Sequence, residues 1–332
     1  LGIYEDAIVI DGLNVSNWDS PAVFQSLHAG RVTAINATVV AWENFAETMN
    51  HLARWPDRFE TYSDVLIQVR STADILRAKD EGRVGIILGF QNASPIENDL
   101  RNLSLFHDLG VKIIQVTYHE RNLLGNGCWE RRDEGLSNFG IDAVKEMNRL
   151  GILIDLSHVG DATSLESIDY SDKPVAITHS NARAFCDHPR NKPDDVLKLL
   201  KDKNGVIGST SFPSFLPKKF ESTINDYVDA IEDLIERVGV DHVGIGSDFT
   251  QDQPESFWRY IGSQQGTKWP STFVKSTADY EKFADSPKGF ETPDKLPNLA
   301  EVLTNRGYPP GDVGKILGGN WLRLFDEVWL GT

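Results

Sequence analysis

Eight short apolar runs alternate with amphipathic stretches along this chain. The runs cover 7–15, 32–40, 84–91, 111–119, 151–159, 174–180, 205–212 and 241–249, and each is rich in Val, Ile and Leu. Runs of that length and make-up predict parallel strands buried on both faces. The stretches between them carry helical periodicity. Residues 71–81 open on Ser71 with Asp74 three positions on, which predicts a capped helix start. Residues 138–150 stop before Gly151, a residue suited to the turn that ends a helix, and 222–238 form another helical stretch. Eight strand–helix units in one chain predict an α/β fold of the (β/α)8 TIM-barrel type, with 1–332 as a single domain.

Three segments stand outside that repeat. The short run 65–69 reads as part of a helix or as an accessory segment. Residues 252–297 are too long for a plain connecting loop and predict a lid insertion over one mouth of the barrel. Residues 298–329 predict C-terminal helices, with Gly318-Gly319-Asn320 as a turn whose Asn caps the helix 321–329.

Composition narrows the partners. The 332 residues are 40% hydrophobic, enough for one large core, and the net charge is −16. An acidic surface argues against nucleic acid and against anionic membranes. No apolar run reaches the ~18 residues that a bilayer-spanning helix needs. Cys128 and Cys186 are the only cysteines. That is not a disulfide framework, and it points to a reducing compartment and a cytoplasmic location. The chain opens at Leu1 without a signal-peptide pattern, which is also what a trimmed terminus would show.

In a barrel of this kind the chemistry lies at the C-terminal ends of the strands. The polar residues predicted there are Gln91, Tyr118, His119, His158, His179 and Asp248. A single strand-end histidine is as readily structural, but His158 and His179 on successive strands can face one point. Asp248 joins them from the eighth run; its bland alternative is a turn residue. Tyr118 and His119 alternate sides, so Tyr118 is expected to point inward and His119 to lie near the rim. The alternative for Tyr118 is a packing aromatic. After the sixth run, His188-Pro189-Arg190-Asn191 presents an arginine on a proline-braced loop. Arg190 could hold a substrate carboxylate through two parallel hydrogen bonds, or pair with Asp194 or Asp195 as an ordinary loop residue. The loop 121–127 is turn-rich but lacks the Gly-Lys-Ser/Thr ending of a phosphate loop.

Taken in order, several segments resemble the membrane (renal-type) dipeptidase family of the amidohydrolase superfamily. They include Ile10-Asp11-Gly12, Leu88-Gly89-Phe90-Gln91, Thr117-Tyr118-His119-Glu120-Arg121-Asn122 and Asp155-Leu156-Ser157-His158. Thr178-His179-Ser180, His188-Pro189-Arg190-Asn191, Gly246-Ser247-Asp248-Phe249 and Leu317-Gly318-Gly319-Asn320 complete the set. The resemblance implies that His158 and His179 stand where the family has metal ligands, Asp248 where it has its eighth-strand Asp, and Arg190 where it binds the substrate carboxylate. It also implies a divergent member. The family's first-strand His-x-Asp falls on Leu13 and Val15, and its bridging Glu falls on Gln91. Leu and Val have no lone pair to give a metal, and a neutral amide cannot bridge two cations as a carboxylate does.

The expectation is therefore a dipeptidase-like hydrolase acting on a C–N bond of a small, carboxylate-bearing substrate. Its metal site is expected to hold no ion or one divalent ion, zinc first, on His158, His179 and Asp248. Asp248 would complete that shell or act as base. Arg190, Gln91 and Asn122 are the expected substrate contacts, and Asp248, His158, His179 and Tyr118 the catalytic set. Two alternatives stay open: a metal-independent isomerase or lyase in which His158, His179 and Tyr118 move protons, and a non-catalytic relative that binds a small molecule. The resemblance also suggests a homodimer.

Overall fold

The computed structural model describes residues 2–263 and 286–329. Its strands are β1 (Ile10–Asn14), β2 (Ala34–Val40), β3 (Leu66–Gln68), β4 (Val84–Phe90) and β5 (Val111–Gln115). They continue with β6 (Leu153–Asp155), β7 (Ala176–Ile177), β8 (Val206–Ser209) and β9 (Val243–Ile245). All pair in parallel, in the order β2-β1-β9-β8-β7-β6-β5-β4, and β2 also pairs with β4 from Ala34↔Gly85 to Val40↔Phe90. That last ladder closes an eight-stranded barrel, as the eight apolar runs predicted.

The ninth strand is the 65–69 segment. It is an accessory segment, and it is extended rather than helical. β3 pairs only with the start of β4, from Leu66↔Val84 to Gln68↔Ile86, and β5 takes over that edge from Leu88 onward. Three residues cannot complete a helical turn with bonds of their own, whereas the free edge of β4 satisfies their backbone. The predicted helix starts and stops are reproduced at Thr72–Glu81, where the Asp74 carboxylate accepts from the Ser71 amide at 3.0 Å. Asn138–Leu150 likewise starts on Ser137, whose hydroxyl accepts from Gly140, and ends on Gly151 at φ 70°.

One interior layer runs around the barrel through Ile10, Ala34, Ile87, Ile113, Leu153, Ala176 and Val206. Trp321, Leu324, Phe325 and Val328 of the helix Asn320–Val328 pack onto it and stop the barrel at the N-terminal ends of the strands. The Trp321 indole N–H donates to the Ile245 carbonyl at 2.9 Å. Gly12 and Gly244 make room for that ring: a Cβ on either would come within 2.5 Å of it. Asn320 departs from its expected role. It lies inside the helix rather than capping it, and its amide donates to the Val240 and Val243 carbonyls at 2.7 and 2.8 Å. It pins the start of β9. Among the described residues no helix is long and apolar enough to cross a membrane. Of the predicted lid, 264–285 lies outside the described residues; the described part contributes the helix Glu255–Ile261.

Lys112 is an anomaly in this core. Its side chain is buried beside Trp329, 5.4 Å from the ring centre, and among the described residues its ammonium has only the His107 Nε2 as a hydrogen-bond partner, at 3.4 Å. Burial pushes its pKa down to about 8. In the unfolded chain it sits near ~10.4. Between those values the unfolded state binds more protons, so raising the pH through this window stabilises the fold, and the cost of the buried charge is complete below it. Lys112→Met should therefore raise stability at neutral pH by about 1–2 kcal/mol. The gain should shrink towards pH ~10. Urea denaturation of both proteins at the two pH values checks it; a gain independent of pH would assign the effect to packing alone.

Candidate active site

Two buried carboxylates organise the strand ends. Asp155, the last residue of β6, accepts the amides of Ser157 and Thr178 at 3.1 and 2.9 Å and the hydroxyls of the same residues at 2.6 Å each. It thereby ties the end of β6 to the end of β7. The Thr178 hydroxyl, having given its proton to Asp155, accepts from His179 Nδ1 at 2.8 Å. That places the ring proton of His179 on Nδ1 and leaves Nε2 as an acceptor. His158 Nε2 lies 2.9 Å from it and supplies the proton. His158 Nδ1 is left a buried lone pair with no partner among the described residues. Burial and the nearby Arg190 charge hold both imidazoles well below the usual histidine pKa, so both are neutral.

Asp11 repeats the device across the barrel. It accepts the Ser247 amide at 2.8 Å and the Ser247 hydroxyl at 2.5 Å, joining β1 to the end of β9. Burial pushes its pKa up to about 6, and its donors oppose the rise. The next residue, Asp248, takes a left-handed backbone (φ 61°), with its amide donating to the Leu13 carbonyl at 3.1 Å. Its carboxylate faces a cavity, and among the described residues none donates a hydrogen bond to it. Burial raises its pKa to about 7, although the Arg190 charge pulls the other way.

The cavity has a volume of about 410 Å³ and opens at the carboxyl ends of the strands. His158 and Asp248 line it together with Tyr118, His119, Gln91 and Val15. Tyr118 lies against His158, ring centres 4.1 Å apart. His119 does not sit at the rim as expected. It too lines the cavity, buried and stacked on Trp129 at 3.9 Å, with its centre 4.5 Å from His158. The alternation argument fails because β5 ends at Gln115, so strict two-residue alternation no longer governs 118 and 119.

Arg190 is fully enclosed and lies off the cavity wall. Its Nη1 donates to the Ser157 carbonyl at 2.5 Å and the Ser180 hydroxyl at 2.9 Å, its Nη2 to the His179 carbonyl at 3.0 Å, and its plane covers Phe215. Asp194 pairs instead with Arg237. Asn122 is likewise occupied: its amide donates to Asn92 and the Val116 carbonyl, and its oxygen accepts from Leu124 and Gly125. It lines a neighbouring surface depression rather than the cavity. Gln91 does reach the cavity, with its amide donating to Thr38 at 2.9 Å.

The family's metal pair does not fit these residues. Leu13 and Val15 are buried apolar side chains, Gln91 is neutral, and the two imidazoles are joined by their own hydrogen bond. Among the described residues no three His, Cys, Asp or Glu side chains group as an ion would need, so Asp248 is not drawn into a shell with the histidines. The positioning residues Asp11, Asp155 and Thr178 were not singled out by sequence. Their signal was available: Asp-x-Ser-His at 155–158 puts an acceptor two residues before a strand-end donor pair.

A closed parallel barrel with its ionisable groups gathered at the strand ends defines a barrel of the amidohydrolase kind. Comparison with known proteins narrows the class. A family model described as membrane dipeptidase (peptidase family M19) matches residues 14–258, and the chain belongs to that hydrolase family. It is 30% identical over 272 residues to dipeptidase tcpJ of Claviceps purpurea and 31% identical over 290 residues to dipeptidase verJ of Clonostachys rogersoniana. These alignments take in 81% and 86% of this chain but 57% and 66% of the two relatives. Among solved structures, an amidohydrolase from Pseudomonas aeruginosa superposes with a TM-score of 0.93 at 42% identity, covering 99% of this chain and 98% of that one. A metallopeptidase from Rhodobacter sphaeroides, bound to a phosphinate mimic of the dipeptide L-Ala-D-Ala, shares the fold at TM-score 0.81 and 21% identity, covering 98% of this chain and 100% of that one.

The missing ligands make a direct prediction. Protein purified without chelator should carry at most one divalent ion per chain by elemental analysis. Restoring Leu13→His, Val15→Asp and Gln91→Glu together should raise that count. Two tightly held ions in the parent would refute the reading of the donor set.

Proposed function

We propose that this chain hydrolyses a C–N bond in a small, carboxylate-bearing substrate, and that its own side chains carry the proton transfers. The observation behind this is the Asp248 carboxylate, which faces the cavity with no hydrogen bond from any described residue and stands with His158 on its wall. An acceptor kept free in an enclosed site is costly unless something binds it. The donor set does not hold the family's metal pair, so the reacting groups are those present. Asp248 takes a proton from the attacking water as the new C–O bond forms. It returns that proton to the nitrogen as the C–N bond breaks, so the site ends as it began. Tyr118, whose burial raises its pKa and keeps its phenol protonated, is the donor available to the carbonyl oxygen. The Asp155–Thr178–His179–His158 chain holds the His158 ring in place beneath it.

Family membership and the dipeptidase names of the relatives support hydrolysis and a peptide-like substrate. A second reading, a metal-independent isomerase or lyase on the same scaffold, draws on one observation: the His158 and His179 imidazoles are hydrogen-bonded to one another.

Asp248→Asn is close to isosteric and removes the base. It should lower turnover by about a hundredfold or more. It should also leave thermal stability and the affinity of an unreactive ligand nearly unchanged. Amine release from a panel of dipeptides and N-acyl amino acids is the readout. Exchange of a substrate C–H for deuterium without amine release would favour the second reading. Full amine release by Asp248→Asn would remove Asp248 from the mechanism.

A further inference from the structure

The cavity wall says more about the substrate than the strand ends do. Its upper part is built from Trp129, Phe212, Phe215, Phe220, Phe257 and Trp258. On the floor, Val15 places a methyl-bearing side chain where a ligating carboxylate is absent. Such a surface stabilises a bulky apolar body by burying it, at about 25 cal/mol per Å². A dipeptide of small residues would leave most of it uncovered.

The wall carries the carboxylates of Asp187 and Asp248, and its positive charge lies in one place. His119, His158 and His188 line it, and none of them is an obligate cation as a lysine or arginine is. Arg190 is enclosed, with both terminal nitrogens committed to strand-end acceptors. That leaves Lys219. Among the described residues lining the cavity it is the one permanent cation, and it is exposed to solvent. No described carboxylate lies within ion-pair distance of it. Its backbone is left-handed (φ 50°), a conformation that costs a residue with a Cβ about 1 kcal/mol or more. The conformation is held by hydrogen bonds on both sides: the Lys219 amide donates to Leu216 at 3.0 Å, and Ser222 donates to the Lys219 carbonyl at 3.0 Å.

We propose that Lys219 selects the substrate's carboxylate at the mouth of the cavity, and that the substrate it selects carries an aromatic or similarly bulky apolar group. Arg190 is then a positioning residue, which fixes the carbonyls of Ser157 and His179 and through them the imidazole pair. The assignment rests on the hydrolase reading above for the site it serves, but its test does not need turnover.

Hydrocinnamate has the carboxylate and the ring but no C–N bond. Calorimetric titration of the intact chain with hydrocinnamate, hydrocinnamyl alcohol and propionate reads recognition alone. The acid should bind about tenfold or more tightly than either analogue, because each lacks one of the two recognised groups. Lys219→Met should bring the acid down to the level of the alcohol and leave alcohol binding unchanged, and Lys219→Arg should restore most of the loss. The proposal is overturned if Lys219→Met binds the acid as the parent does, if the alcohol or propionate binds as well as the acid, or if the acid does not bind. Loss of acid binding in Arg190→Lys with none in Lys219→Met would return the carboxylate to Arg190. A protein that shows the predicted binding pattern yet releases no amine from any substrate would refute the hydrolysis and leave the recognition standing.

Discussion

The carboxylate of Asp155 carries the most structural consequence for its size. Four donors from two strand ends converge on it, and without it the two backbone amides would be buried orphans. An unsatisfied buried donor costs on the order of 1–3 kcal/mol, so the ends of β6 and β7 have one arrangement that is much cheaper than any other. Everything above follows from it: the Thr178 proton points down, the His179 ring takes one tautomer, and His158 is oriented by His179. Asp11 does the same for Ser247 and Asp248 on the far side. The barrel is thus cross-linked at the level of its site by charge–dipole contacts, while Trp321 and its neighbours stop the opposite end by apolar packing.

The imidazole pair is ordered by groups that this chain itself supplies. The imidazoles of a metal site are usually oriented by hydrogen bonds from behind as well as by the ion in front. Here Thr178 supports His179 from behind, and the His158 ring closes on it in front. Leu13 is buried, and Val15 and Gln91 turn the vacated side into cavity wall. The cost of dispensing with a cation among polar groups is small when those groups are neutral, and burial keeps these histidines neutral.

Two of the six described non-glycine residues at left-handed φ meet at the cavity. Asp248 and Lys219 are both non-glycine residues at left-handed φ, and both line the cavity. A left-handed backbone redirects the side chain relative to an extended one, so the same loop can aim a carboxylate or an ammonium inward. Such positions persist where neighbouring hydrogen bonds over-determine them, as the bonds of Leu13 to Asp248 and of Leu216 and Ser222 around Lys219 do.

The barrel was legible in the sequence because burial on both faces demands unbroken apolar runs, and all eight runs became barrel strands. Helix starts were legible for the same kind of local reason: Ser71 and Asp74 are three residues apart and satisfy one another. His158, Asp248, Tyr118 and Gln91 line one cavity because strand ends in such a barrel converge. What sequence could not decide was where a long side chain ends up once its donors compete for partners. Arg190 reads as a free fork on a loop, but its guanidinium donates to the carbonyls of Ser157 and His179. Asn320 reads as a cap and instead holds β9, and His119 reads as a rim residue and lines the cavity. Each of these outcomes depends on acceptors or ring faces brought by distant segments. Apolar periodicity and capping are written within a few residues of themselves; the pairing of polar groups is settled only when the whole barrel closes.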